Sequence, residues 1–172
     1  IKALDQSSFI AEFAEQPVEI DFIYEGRERK YFVDLLVKTI DDLIIAVEIK
    51  SPVMLADRYV QAKAQAASHA FGQHGIGYCL VDVHGRSQND LRKVRVNEGL
   101  KSFLRDTLRA KKKVTMRDLY AHLGHWPPTE VIDQIQCLVL EFGLDYRVRL
   151  LPNRTTGLLG LSYTFTLTTG RN

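Results

Sequence analysis

Asp34, Glu48 and Lys50 are the residues of this 172-residue chain whose types and spacing best suit chemistry. They lie in residues 31–52, YFVDLLVKTIDDLIIAVEIKSP, where apolar runs at 32–37 and 43–49 flank a polar link holding Asp41 and Asp42. The Val/Ile/Leu content and the length of each run predict two buried strands joined by a turn. A carboxylate inside such a sheet is costly unless a metal or a partner compensates it. Glu48 and Lys50 are two positions apart, so on a strand they point to one face, and Asp34 on the neighbouring strand can meet them there. Two carboxylates and a lysine at one strand end suit a Mg²⁺ site for phosphodiester hydrolysis. Hard oxygen ligands hold the ion, the ion activates water and clamps the phosphate, and the lysine orients the nucleophile or offsets charge. The bland alternative is a solvated strand end carrying a Glu/Lys ion pair.

The elements that must position these residues are legible on both sides. Val18, Ile20, Phe22 and Tyr24 alternate with Glu19, Asp21 and Ile23, which predicts a half-buried strand. A tight turn at Glu25–Gly26 and a second strand then deliver Asp34. Arg27, Arg29 and Lys30 on this charged hairpin are candidates to meet a phosphate backbone, or else ordinary solvated cations. Residues 5–14 predict a short helix or an irregular lead-in, ended by Gln16-Pro17 because the residue before proline disfavours the helical region. After Ser51-Pro52, residues 56–72 predict an alanine-rich helix stopped by glycine, with Tyr59, Ala62, Ala66 and Ala70 as its packed face. Gln61, Gln65 and His69, four apart, share a polar face. Residues 76–83 predict the next buried strand, which completes a β-β-β-α-β core; a loop at 84–92 and a helix at 96–109 follow.

An aspartate followed by E-x-K at a strand end resembles the PD-(D/E)xK nuclease superfamily, with its restriction-endonuclease-like fold. The wider run resembles the endonuclease subunit of heteromeric, TnsA-like transposases. The shared features are Gln16-Pro17 before the hairpin, Arg29 and Tyr31 leading to Asp34, and Asn97 soon after the last core strand. Val33 departs from the pattern, standing where that family usually has proline. The resemblance implies a Mg²⁺-dependent endonuclease (Mn²⁺ as substitute) cutting the 5′ ends of a transposon. Asp34 and Glu48 would ligate the metal, the Ile49 carbonyl would add a ligand, and Lys50 would position the attacking water. It also implies double-stranded DNA, a DDE-type transposase and an AAA+ ATPase regulator as partners. The family's further acidic residue, on a helix before the hairpin, is expected mostly ahead of Ile1; Glu12 and Glu15 are the nearby carboxylates. The absence of an initial methionine suggests a fragment. Rival readings are another restriction or repair nuclease of the superfamily, or an inactive nuclease fold serving as an assembly platform.

The rest of the chain predicts a second, smaller domain. Lys111, Lys112 and Lys113 form the one basic run, a candidate seat for a DNA strand or a charged linker, and the boundary is placed there: 1–110 and 111–172. Thr115 can cap a helix ending at Gly124, Thr129 can cap a second helix reaching Gly143, and two strands surround PNRTTGLLG. Helix, turn, helix and hairpin together resemble a winged-helix-like domain. Its second helix has no Arg or Lys, which makes it a poor major-groove reader and favours a docking or structural role. The expected class is therefore α+β with a mixed sheet.

Composition sets limits. Apolar content of 45% and charged content of 26% are ordinary for a globular protein, and a formal charge of +2 requires any DNA contact to come from a local patch. Cys79 and Cys137, far apart in apolar runs, read as buried free thiols of a cytoplasmic protein. No apolar stretch is long enough to cross a bilayer, so no membrane partner is expected. The histidines lack zinc spacing, and no phosphate-binding G-x-x-x-x-G-K-[ST] loop is present.

Overall fold

A computed structural model describes residues 7–125, 127–152 and 159–169, with backbone alone at 150–152 and 159–163. Packing divides the chain into a first unit, Ile1–Pro52 with Tyr59–Ser87, and a second, Val53–Arg58 with Gln88–Asn172.

The first unit holds six strands: β1 (Ile10–Glu15), β2 (Glu19–Tyr24), β3 (Arg27–Phe32), β4 (Leu35–Thr39), β5 (Ile44–Lys50) and β6 (Gly77–Asp82). Four of them form a mixed sheet in the order β1-β4-β5-β6, antiparallel except for the parallel β5/β6 pair. A parallel pair needs a long crossover, and helix α1 (Arg58–Gly72) supplies it. Strands β2 and β3 make a separate hairpin. Its Ile20, Phe22 and Tyr31 join Val33, Ala46, Ala67 and Phe71 in the core of this unit.

Two local expectations are corrected here. Residues 10–15 form β1 rather than a helix. Six residues between the turn at Ser8–Phe9 and Gln16-Pro17 are too few to offset the cost of helix nucleation, whereas pairing with β4 satisfies their backbone. The run at 32–37 is two strands, not one. Val33 donates its N–H to the Val18 carbonyl (3.2 Å), Asp34 accepts from the Gln16 N–H (3.0 Å), and the chain leaves the hairpin for the larger sheet at that bend. On α1 the fully buried positions are Val60, Ala67 and Phe71; Ala66 and Ala70 pack against the same core as expected, and Tyr59, though partly exposed, sets its ring 5.8 Å from Phe22 and 4.9 Å from Tyr24.

In the second unit α2 (Gln88–Leu91) interrupts the expected loop, and α3 (Glu98–Lys111), β7 (Lys113–Thr115), α4 (Met116–Leu123), α5 (Thr129–Phe142), β8 (Asp145–Pro152) and β9 (Leu159–Thr168) follow. The three strands pair antiparallel in the order β7-β9-β8. Leu100, Leu104 and Leu108 of α3, four apart on one face, enter a core with Leu119, Ile132, Ile135, Tyr146 and Phe165. The division by packing therefore falls at Ser87/Gln88, whereas the sequence reading places the boundary at 110/111. Residues 53–58 are tied into this unit by side chains. Tyr146 Oη donates to the Val53 carbonyl (3.0 Å), Gln136 Oε1 accepts from the Ala56 N–H (3.0 Å), and Asp57 Oδ2 accepts from the Val148 N–H (2.8 Å). Thr115 caps α4 reciprocally with Asp118 as expected. Thr129, by contrast, is the first residue of α5, and Pro128 stands at the cap without a side-chain bond. Trp126 and residues 153–158 of the expected turn and hairpin lie outside the described residues. Among the described residues no helix is long and apolar enough to cross a membrane.

Candidate active site

Leu35 pairs with Val47 across the antiparallel β4/β5 ladder, which brings Asp34, one residue earlier, level with Glu48. The Ile49 N–H donates to Asp34 Oδ2 at 2.8 Å and so fixes the aspartate at the end of β5. Glu48 is inward-facing and 1% exposed. Lys50, two residues on, shares its face. The Lys50 ammonium lies 2.5 Å from Glu48 Oε1, 3.0 Å from the Ile49 carbonyl oxygen and 3.4 Å from Asp34 Oδ2. Those are the three oxygens that the sequence reading proposes as metal ligands, and here they converge on one cation.

Whether a divalent ion suits these residues can be judged from that convergence. The ammonium is a stand-in cation: a single positive centre already gathers two carboxylates and a carbonyl. All three donors are hard oxygens, the set that Mg²⁺ prefers. Glu48 Oε2 is buried and has no hydrogen-bond partner, so an acceptor remains to be used. The residues fit the group. Among the described residues no three His, Cys, Asp or Glu side chains cluster in a metal-holding arrangement, so the ion would rest on two carboxylates, the carbonyl and water.

Lys63 is the residue that sequence reasoning missed. Its ammonium lies 2.9 Å from Glu48 Oε1 and 4.4 Å from the centre of the Tyr31 ring. The signal was its spacing, three after Val60 and four before Ala67, which places it on the buried stripe of α1. His69, on the polar face of α1, pairs with Gln73 at 3.1 Å. Tyr31 and Tyr78 add two buried hydroxyls without a well-aligned partner. Burial first, and then the Glu48 charge, pushes the Tyr31 phenol up; burial and then Tyr31 do the same to Tyr78. Both stay protonated.

A third carboxylate, Asp82, lies on β6 in register with Lys50. Its Oδ1 accepts from the His84 and Arg86 N–H groups (2.8 and 3.0 Å) and its Oδ2 from Arg86 Nε (2.8 Å). Burial alone would raise its pKa, but these bonds bring it below the usual value. It serves the turn after β6. Glu12 pairs with Lys38 (3.6 Å) and is exposed.

The cations proposed for DNA fall in two places. Arg27, Arg29 and Lys30 are exposed on β3, and Lys30 is already answered by Glu19 and Asp21. Lys111 ends α3 and binds Asp118 at 2.6 Å, Lys112 is the left-handed C-cap (φ 61°), and Lys113 opens β7. Asn97 caps α3, accepting from the Gly99 and Leu100 N–H groups, which accounts for that residue structurally.

The first unit is thus a mixed-sheet α+β domain with two carboxylates and two lysines gathered at a strand end. Residues 7–83 match the family model described as TnsA-like endonuclease N terminal, and the first unit is similar to that domain. The span runs from ahead of β1 to the end of β6 and contains every residue of the cluster, but it is under half of the chain. A comparison with curated proteins gave no match.

Proposed function

We propose that the protein is a metal-dependent DNA endonuclease similar to the TnsA-like subunit that cleaves the 5′ ends of a transposon. The observation that carries this reading is the convergence of Asp34, Glu48 and the Ile49 carbonyl on the Lys50 ammonium, inside the matched span. These residues would hold Mg²⁺, with Mn²⁺ as a substitute. When bound, such an ion polarises the scissile phosphate and lowers the pKa of water. Asp34 is oriented for its role by the Ile49 N–H, and Glu48 by burial. Lys50, whose side chain is 19% exposed, can turn from the carboxylates to orient the attacking water. Arg27 and Arg29, exposed on β3, would contact the phosphate backbone.

The same reading implies a DDE-type transposase cutting the other strand and an AAA+ ATPase regulator in one assembly. Helix, strand, two helices and two strands from α3 to β9 support a winged-helix-like second domain. Its α5 buries Ile132, Ile135, Gln136, Leu138 and Val139 and carries no Lys or Arg, which favours a structural or protein-docking role over base reading.

The test is nicking of supercoiled DNA with Mg²⁺ or Mn²⁺, with and without a candidate transposase. Nicking by the native chain that disappears in Asp34→Ala and Lys50→Ala is expected. Equal nicking by all three proteins would contradict the assignment, and a requirement for the transposase would separate the transposon role from a stand-alone nuclease.

A further inference from the structure

We propose that Lys63 is a positioning residue of this metal site: it holds Oε1 of Glu48 from the helix side and so keeps the carboxylate turned toward the strand end where Lys50, Asp34 and the Ile49 carbonyl meet. The inference rests on the nuclease reading and assigns a role that the Asp34/Glu48/Lys50 motif does not contain.

Three observations carry it. Lys63 is a part-buried ammonium, its side chain 12% exposed, on the inner stripe of α1. Such a charge is costly unless paired, and its partners are Glu48 Oε1 at 2.9 Å and the faces of Tyr31 and Tyr59 at 4.4 and 6.0 Å. Second, the two lysines are not equivalent. Lys50 touches all three oxygens of the site, whereas Lys63 touches Glu48 Oε1 alone among them. Lys63 therefore leaves Asp34 and the Ile49 carbonyl free while it fixes the carboxylate of Glu48. Third, Glu48 Oε2 is buried and unpartnered, a state that costs free energy unless a ligand uses it. When Lys50 turns toward water, Lys63 keeps the buried Glu48 charge compensated and its orientation unchanged. Partners that orient a metal ligand in this way contribute about 10–100-fold in metal affinity or activity.

The experiment is calorimetric titration of the full chain with Mn²⁺, alongside thermal unfolding, for the native protein, Lys63→Met and Lys63→Gln. Methionine fills the space over Tyr31 but cannot hold Oε1; the glutamine amide can donate to it without charge. Lys63→Met is expected to weaken Mn²⁺ binding about 10–100-fold, with Lys63→Gln recovering most of the loss. Lys63→Ala, a mild change in an alanine-rich helix, repeats the measurement should methionine not fold. Native-like affinity in Lys63→Met or Lys63→Ala overturns the inference. Equal weakening in Met and Gln variants also overturns it, because charge rather than the bond to Oε1 would then be responsible. A native chain that neither binds Mn²⁺ nor nicks DNA removes the nuclease reading itself, a result distinct from an intact native site indifferent to Lys63.

Discussion

Glu48 in the first unit and Gln136 in the second are both polar side chains sealed inside regular elements, at 1% and 0% exposure. They are used differently. Gln136 gives its oxygen to the Ala56 N–H, a backbone group that would otherwise be buried unpaired. Glu48 gives one oxygen to two lysines and the other to nothing, and two neighbouring phenols also lack well-aligned partners. Buried polar groups that complete backbone bonding build structure; a buried carboxylate that gathers two lysines and keeps one oxygen open suits the metal site proposed above.

Substitutions can break or sharpen this contrast. The largest effect is expected on catalysis: Asp34→Ala and Glu48→Ala should lower nicking by about 10³-fold or more, because a metal contributes several kcal/mol to the transition state. Lys50→Ala should cost about 10²–10⁴-fold. Single-turnover assays measure each, and circular dichroism should show a retained fold. In the second unit, Leu104→Ala should cost about 2–5 kcal/mol of unfolding free energy in denaturant titration, since it opens a cavity beside Leu119 and Ile135. Gln136→Leu should destabilise by about 1–3 kcal/mol, because the Ala56 N–H loses its acceptor, while Mn²⁺ affinity stays native.

A smaller effect concerns acid. Hydrogen bonds from Lys111 and then Thr115 hold Asp118 down at about 2. A depressed carboxylate stabilises the fold fully above its unfolded value of 3.8, and that contribution is lost as pH falls through 3.8 toward 2. Asp118→Asn should therefore reduce stability by about 1 kcal/mol at neutral pH, given the exposure of Lys111, and flatten the acid limb of the stability curve. Smallest of all, Arg27→Ala with Arg29→Ala should weaken DNA binding a few-fold and lower the salt slope by about one to two. Filter binding at two salt concentrations reads it.

Much of the first unit was legible because its strands carry period-two patterning and because E-x-K fixes two side chains on one face. The alternation at Val18 to Tyr24 marked β2, and Thr115 and Gly124 marked the ends of α4 through their capping chemistry. What failed to show depended on tertiary pairing. Strand β1 exists because β4 offers it an edge, and the break at Asp34 exists because Gln16 and Val18 bind the chain there. The inward turn of Lys63 was obscured by the alanines of α1, whose small side chains fit either face and leave the helix rotation undetermined by pattern alone. The place of α3 in the second core followed from Leu100, Leu104 and Leu108 meeting residues far along the chain, which spacing cannot report.

The most direct test of the central claim is calorimetric Mn²⁺ binding by the native chain, Asp34→Ala and Glu48→Gln. The account predicts binding to the native protein that is lost in both variants, because their oxygens and the Ile49 carbonyl form one site. Equal binding by all three would contradict it.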